Sequence, residues 1–193
     1  MIRAVLTFPK RRPFVFGTCL AGFKNGAVDL VVQKKVEGRE SVDWRRTTVF
    51  ASFGLLFNGA WQYFLFVKMM PRLCPQAVSF ARKPIREKLK DIPGLKQLAL
   101  QNFVENGVNN ALIYYPLFYT LKEYIEGGVF EDGIKKYRKN MKDDLVAIWK
   151  VWVPAQFINF AFCPLWLRVP YVACVSCFWT AFVSFTRGKK EIL

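Results

Sequence analysis

Two stretches of this chain set polar side chains inside apolar surroundings. In the run 98–121, Asn102, Glu105, Asn106, Asn109 and Asn110 recur at intervals of one, three and four. At 100° per residue they fall within an arc of roughly 140°, with Leu100, Val104, Gly107 and Ala111 opposite. Between Val151 and Arg168 the chain reads VWVPAQFINFAFCPLWLR, placing Gln156 and Asn159 three apart on one helical face and Arg168 near its end. Amides and one carboxylate in register can line water or knit helices by hydrogen bonds. Five such groups exceed what helix association alone needs, which favours a hydrated path. They do not make a catalytic set. The chain has no histidine, which removes acyl-transfer triads, the commonest zinc sites, histidine-ligated haem and the usual base near neutral pH. No G-x-x-x-x-G-K loop is present. The expectation is a non-enzyme without metal or cofactor.

Other charged and small residues must be positioned around these groups. Lys24, Asp29 and Arg168 lie in or beside apolar runs, where an unpaired charge is costly. Lys24 with Glu105 and Asp29 with Arg168 are the simplest neutral pairings. Asn58 and Gln62, four apart, add to a polar centre. Gly22 and Gly26 form G-x-x-x-G, and Gly54 with Gly59 marks a second small-residue face. Such faces let helix backbones approach, within a bundle or in a dimer.

The elements follow from composition. Apolar residues make up 53% of 193 residues and aromatics 17%, yet the net charge is +15. A membrane protein reconciles these figures by turning apolar side chains to lipid and basic ones to headgroups. The basic residues cluster between apolar runs rather than along them, which argues against nucleic acid as a partner. Four runs approach the roughly 20 residues of a spanning helix: about 14–33, 47–67, 98–121 and 169–186. None alternates as a barrel strand would. The expected fold is therefore all-α, a single integral-membrane four-helix bundle over 1–193. Short amphipathic segments at about 84–92 and 132–150 are expected to lie on the membrane surface.

With four spans the termini share a side. That side holds fifteen Lys/Arg against twelve in the other loops, a weak bias toward matrix or cytosol. Met1 to Pro13 lacks the pattern of a cleaved leader. Five cysteines without framework spacing speak against a disulfide scaffold. Cys174-x-x-Cys177, in an apolar run, reads as packing rather than redox chemistry. Membrane lipids are the expected partners, cardiolipin among them.

The motifs also resemble one family. Trp152, Pro154, Gln156, Asn159, Phe160, Pro164 and Arg168, followed by Trp179, match the carboxyl-terminal pattern of the Mpv-seventeen/peroxisomal-membrane-protein family. Asp29 with Gln33, Asp43 with Arg46, and Gly54 with Gly59 match its upstream motifs. The chain departs from that pattern at Ala60, at Leu100 and around Asn106. The resemblance implies a four-span protein of the mitochondrial inner membrane, or alternatively of the peroxisomal membrane. It also implies a channel-like pore for small solutes, lined here by Asn102, Glu105, Asn106, Asn109, Gln156 and Asn159. The alternative is an accessory subunit of a large respiratory or ATP synthase membrane complex. Either reading accommodates an oligomer.

Overall fold

The structure is a computed structural model that describes the backbone of residues 2–188 and the side chains of residues 7–178. The side chains of Trp179 and of the rest of the expected fourth span beyond residue 178 lie outside the described residues. The chain is all-α, with no strand among the described residues. Helix α1 covers Ile2–Arg11, α2 Pro13–Val36 and α3 Trp44–Leu73. Two short helices follow, α4 (Ala77–Arg82) and α5 (Ile85–Lys88). Helix α6 runs over 92–125 as three consecutive segments, Ile92–Phe103, Val104–Tyr114 and Tyr115–Ile125. Helix α7 is Phe130–Phe162. A 3-10 turn, Leu165–Leu167, leads into α8, Arg168–Gly188.

Local chemistry sets these limits. Pro13 opens α2 at a position where no N–H is needed. Asp43 and Asp91 cap α3 and α6 by accepting from the backbone N–H of Arg46 and Gly94, both at 3.0 Å. Gly38 and Gly127 take φ of +64° and +82° after α2 and α6, a backbone region that side-chain-bearing residues avoid. Helix α7 continues through Pro154, which offers no N–H to the carbonyl of Lys150.

Much of the helical backbone is wider than an α-helix. Val32–Val36, Gly54–Trp61, Phe64–Met69 and Val104–Tyr114 close their turns i→i+5. Such turns are rare and concentrate at functional positions. The longest contains most of the polar stripe.

The chain divides into two compact units. The first holds Met1–Met69 and Pro164–Leu193. In it, α2 and α3 meet through the small residues singled out in the sequence. A Cβ on Gly59 would stand 2.6 Å from Thr18 Cα, and one on Gly54 would stand 2.6 Å from the Ala21 carbonyl oxygen. Gly22 and Gly26 meet Leu55 and Ala51 at 3.2 and 3.3 Å by the same measure. The four glycines form one interlocking seam inside this unit.

The second unit is Met70–Cys163. Here α6 and α7 run antiparallel. Asn102 Nδ2 donates to the Val153 carbonyl at 2.9 Å, Trp149 Nε1 to the Asn106 carbonyl at 3.0 Å, and the Tyr137 hydroxyl to the Ala111 carbonyl. At the far end Gly133 lies against the Thr120 backbone.

Helices Pro13–Val36 and Trp44–Leu73 contain the first two expected spans, 14–33 and 47–67. Among the described residues, three helices are long and apolar enough to cross a bilayer: Pro13–Val36, Trp44–Leu73 and Phe130–Phe162. The 132–150 segment is not a separate surface helix. It is the first part of α7, and Tyr137, Leu145 and Ile148 are buried. The region 98–121 is helical over a spanning length within α6, but its asparagines and Glu105 keep it below that apolar threshold. The 84–92 segment holds only one helical turn, Ile85–Lys88, with Ile85, Leu89 and Ile92 exposed. Lys88 is buried beneath that turn. Its ammonium donates to the Ala81 and Lys83 carbonyls and stands over the rings of Phe80 and Phe162.

The seam makes a direct prediction. Gly59→Ala presses a methyl group onto Thr18 backbone and should cost about 1–3 kcal/mol, the usual penalty for overpacking. Gly22→Ala meets only the Leu55 side chain and Ala51 oxygen at 3.2–3.3 Å and should cost less. Thermal unfolding of the two variants in detergent measures the difference, and equal midpoints would contradict the seam.

Candidate functional site

The polar stripe is buried. Gln101, Asn102, Glu105, Asn106, Asn109 and Asn110 are all at most 7% exposed, whereas Phe103 and Leu112 are 64% and 69% exposed. The wide turn changes the face in one respect. Ala111, expected opposite the stripe, is buried with it, because an i→i+5 turn returns the fifth residue over Asn106.

Along the stripe the amides bond to one another in two rows. Asn106 Nδ2 donates to Asn102 Oδ1 at 2.8 Å, and Asn110 Nδ2 to Asn106 Oδ1 at 3.3 Å. Asn109 Nδ2 donates to Glu105 Oε2 at 3.1 Å. Each carboxamide has two N–H groups and two oxygen lone pairs, so these rows occupy part of its capacity.

Gln156 and Asn159 continue the polar file on α7. Asn159 Nδ2 donates to Gln156 Oε1 at 2.8 Å, and the two residues are 0–1% exposed. Gln156 Nε2, Asn159 Oδ1 and the nearby Trp152 Nε1 are buried without a hydrogen-bond partner among the described residues. Burying such groups unmet costs a few kcal/mol each. Asn102, which reaches the Val153 carbonyl, ties the α6 stripe to this part of α7. Of the other motif residues here, Phe160 is fully buried and Pro154 is exposed.

The intramembrane charges are not paired as expected. Asp29 binds Arg46 Nε through Oδ1 at 2.9 Å instead of meeting Arg168. Its Oδ2 accepts from Gln33 Nε2 and from the Thr47 hydroxyl, both at 2.7 Å. Gln33 Oε1 in turn accepts from the Asp43 N–H at 2.7 Å. Arg46 Nη1 reaches both Glu37 oxygens at 2.8 and 2.9 Å, and Arg39 Nε reaches Glu37 at 2.7 Å. These residues clasp the turn between α2 and α3. Asp29 and Arg46 approach because that turn is short, whereas Arg168 arrives from distant sequence. Arg168 is fully buried and donates from Nη1 to the Phe66 carbonyl at 3.1 Å. Pro164, in the connection that precedes it, is exposed. Lys24, expected to pair with Glu105, donates to the Ser176 hydroxyl at 2.8 Å within its own unit. Asn25 links to Asn58 at 3.4 Å, while Gln62 is buried.

Sequence reasoning missed Glu37, Thr47, Tyr137 and Trp149 as polar partners. The D-x-x-x-Q and D-x-x-R motifs contained the signal for the clasp, since their four side chains converge. Tyr137 and Trp149 gave no such signal, because both fit the apolar side of an amphipathic helix.

The fold and these inward-turned polar groups define the class, an all-α, multi-pass membrane protein with a polar interior. The sequence profile of the Mpv17 / PMP22 family matches residues 123–184. Peroxisomal membrane protein 2 of Bos taurus is 26% identical over 79% of this chain and 68% of its own length. Mitochondrial inner membrane protein Mpv17 of Danio rerio is 24% identical over 93% of this chain and 92% of its own length. Protein SYM1 of Kluyveromyces lactis is 39% identical over 36% of each chain. The chain is thus similar, over residues 123–184, to the Mpv17 / PMP22 family, and along most of its length to proteins named for the mitochondrial inner and peroxisomal membranes. No solved structure matches it.

Two predictions follow from the clasp. Arg46→Leu leaves Asp29 buried and uncompensated and should cost about 3–5 kcal/mol. Equilibrium unfolding in detergent reads this out, and a loss below about 1 kcal/mol would contradict the buried pair. Glu37 should also make the turn pH-sensitive. Burial tends to raise its pKa, but hydrogen bonds from Arg46 and Arg39, with their charges, outweigh this and hold it below the ordinary value. Its contribution is present above the unfolded pKa, about 4.3, and is lost as pH falls through the lower folded value. Amide exchange at residues 38–42 should quicken below about pH 4, relative to the intrinsic rate, and Glu37→Gln should remove that step.

Proposed function

We propose that this protein is a non-enzymatic, channel-like passage for small polar solutes in an organelle membrane, working without a cofactor. The observation that carries the reading is the trio of unmet groups at Trp152, Gln156 and Asn159, beside a stripe of amides. Two donors and one acceptor buried in a membrane protein suit water or a hydroxyl-bearing solute. The stripe itself suits a closed passage. Its side chains are bonded in rows along one helix, and a solute entering would exchange those bonds for its own. A lone carboxylate among amides favours uncharged polar cargo over a strongly charged ion. The likeness to proteins named for the mitochondrial inner and peroxisomal membranes supports this reading in its organelle.

The alternative, an accessory subunit of a large membrane complex, draws on exposed apolar side chains such as Phe23, Leu56, Phe103 and Leu112. Lipid covers them in one reading, and a neighbouring subunit partly covers them in the other. Native electrophoresis in mild detergent separates the two by size.

Planar-bilayer recordings of reconstituted Asn106→Leu/Asn109→Leu test the passage. Conductance should fall roughly tenfold or more, since an unpaired polar group costs a few kcal/mol and 1.4 kcal/mol is a factor of ten. Conductance equal to that of the parent protein would remove the stripe from the mechanism. Absence of conductance in the parent, with migration in a large complex, would favour the subunit reading.

A further inference from the structure

The junction of α1 and α2 carries features that the polar path does not use. Phe8, from α1, meets Phe16 edge-on at 6.4 Å between ring centroids. Beneath it, Val15, Phe16, Cys19, Leu20 and Phe23 line a furrow along α2. Val15, Cys19 and Phe23 succeed one another at intervals of four, so the furrow follows the helix axis for about 12 Å at 1.5 Å per residue. Its volume is about 330 Å³, and it is a shallow groove open along its length rather than an enclosed cavity. The lining is almost wholly apolar. Phe23, at 77% exposure, stands proud along it.

The other end is basic. Arg11 and Arg12 occupy the elbow between the helices, where Arg12 leaves helical geometry at φ −133°, ψ 60°. Both are exposed, and among the described residues neither makes an ion pair. Lys10 stands beside them over the Trp166 ring. Helix α2 is a candidate span beginning at Pro13, so this cluster sits at the end of a span, where headgroups lie.

We propose that the furrow and the elbow together form a site for one anionic glycerophospholipid. An acyl chain lies along Val15, Cys19 and Phe23 beneath Phe8, and the headgroup phosphate meets Arg11 and Arg12. An apolar furrow beside two guanidiniums that make no ion pair among the described residues complements such a lipid at both ends. Guanidinium geometry suits phosphate. A zwitterionic lipid would satisfy the furrow and only half of the elbow. A second copy of this chain would have to bring acidic side chains to the same place.

Electron spin resonance of the protein in phosphatidylcholine vesicles, with spin-labelled phosphatidylglycerol or phosphatidylcholine as the probe, tests the site. The parent protein should prefer the anionic probe several-fold. Arg11→Gln/Arg12→Gln should bring that preference close to one. Lys139→Gln/Lys142→Gln, which removes the same charge from exposed positions on α7, should leave it intact. Cys19→Trp fills the furrow and should release one motionally restricted lipid per chain. The proposal is overturned if the arginine variant keeps the preference, if the lysine variant loses it equally, or if Cys19→Trp leaves the lipid count unchanged. It is equally overturned if Cys19→Trp converts an oligomer to a monomer, because a second copy would then be the occupant.

Discussion

The constraint on which this structure rests is that a buried polar group must find its partner inside the chain. In hydrocarbon there is no water to supply one. The wide i→i+5 turns answer part of that need. They shift the backbone ladder, and several of their carbonyls accept bonds from elsewhere. Phe66, Asn106 and Ala111 all lie in such turns, and they receive Arg168, Trp149 and Tyr137 respectively. Wide turns and buried donors thus occur together in both units. The backbone irregularity is tied to the polar residues it serves.

Charge is handled by a different device in each place. Asp29 and Arg46 neutralise one another beneath a turn whose own residues complete the shell. Lys24 meets a hydroxyl and Lys88 meets backbone carbonyls and aromatic faces, so neither depends on a buried carboxylate. Many other basic side chains stay exposed, which is how a chain of net charge +15 carries so apolar a composition.

Much of this was legible in the sequence, and the remainder was hidden for definite reasons. The amide stripe could be read because i, i+3 and i+4 spacing keeps residues on one face in either kind of turn. Ala111 could not, since its position depends on turn width, which no local pattern announces. The glycine seam was visible as pairs, although which glycine met which residue was not. The pairing of Asp29 with Arg46, seventeen residues apart, lay within the two upstream motifs, but neutrality alone matched Asp29 equally well with Arg168. Continuity of α7 was obscured by Pro154 and by a change from a charged, amphipathic first part to a largely apolar second part along one helix. That change is a matter of surroundings rather than of backbone.

Pro154 has a mechanical consequence. The bond missing at the Lys150 carbonyl removes one rung from the ladder of a 33-residue helix, and prolines are where helices most often bend. Trp149, which grips α6, lies on one side of it, and Gln156 with Asn159 lies on the other. A small bend there would move the two amides relative to the part of α7 that Trp149 anchors.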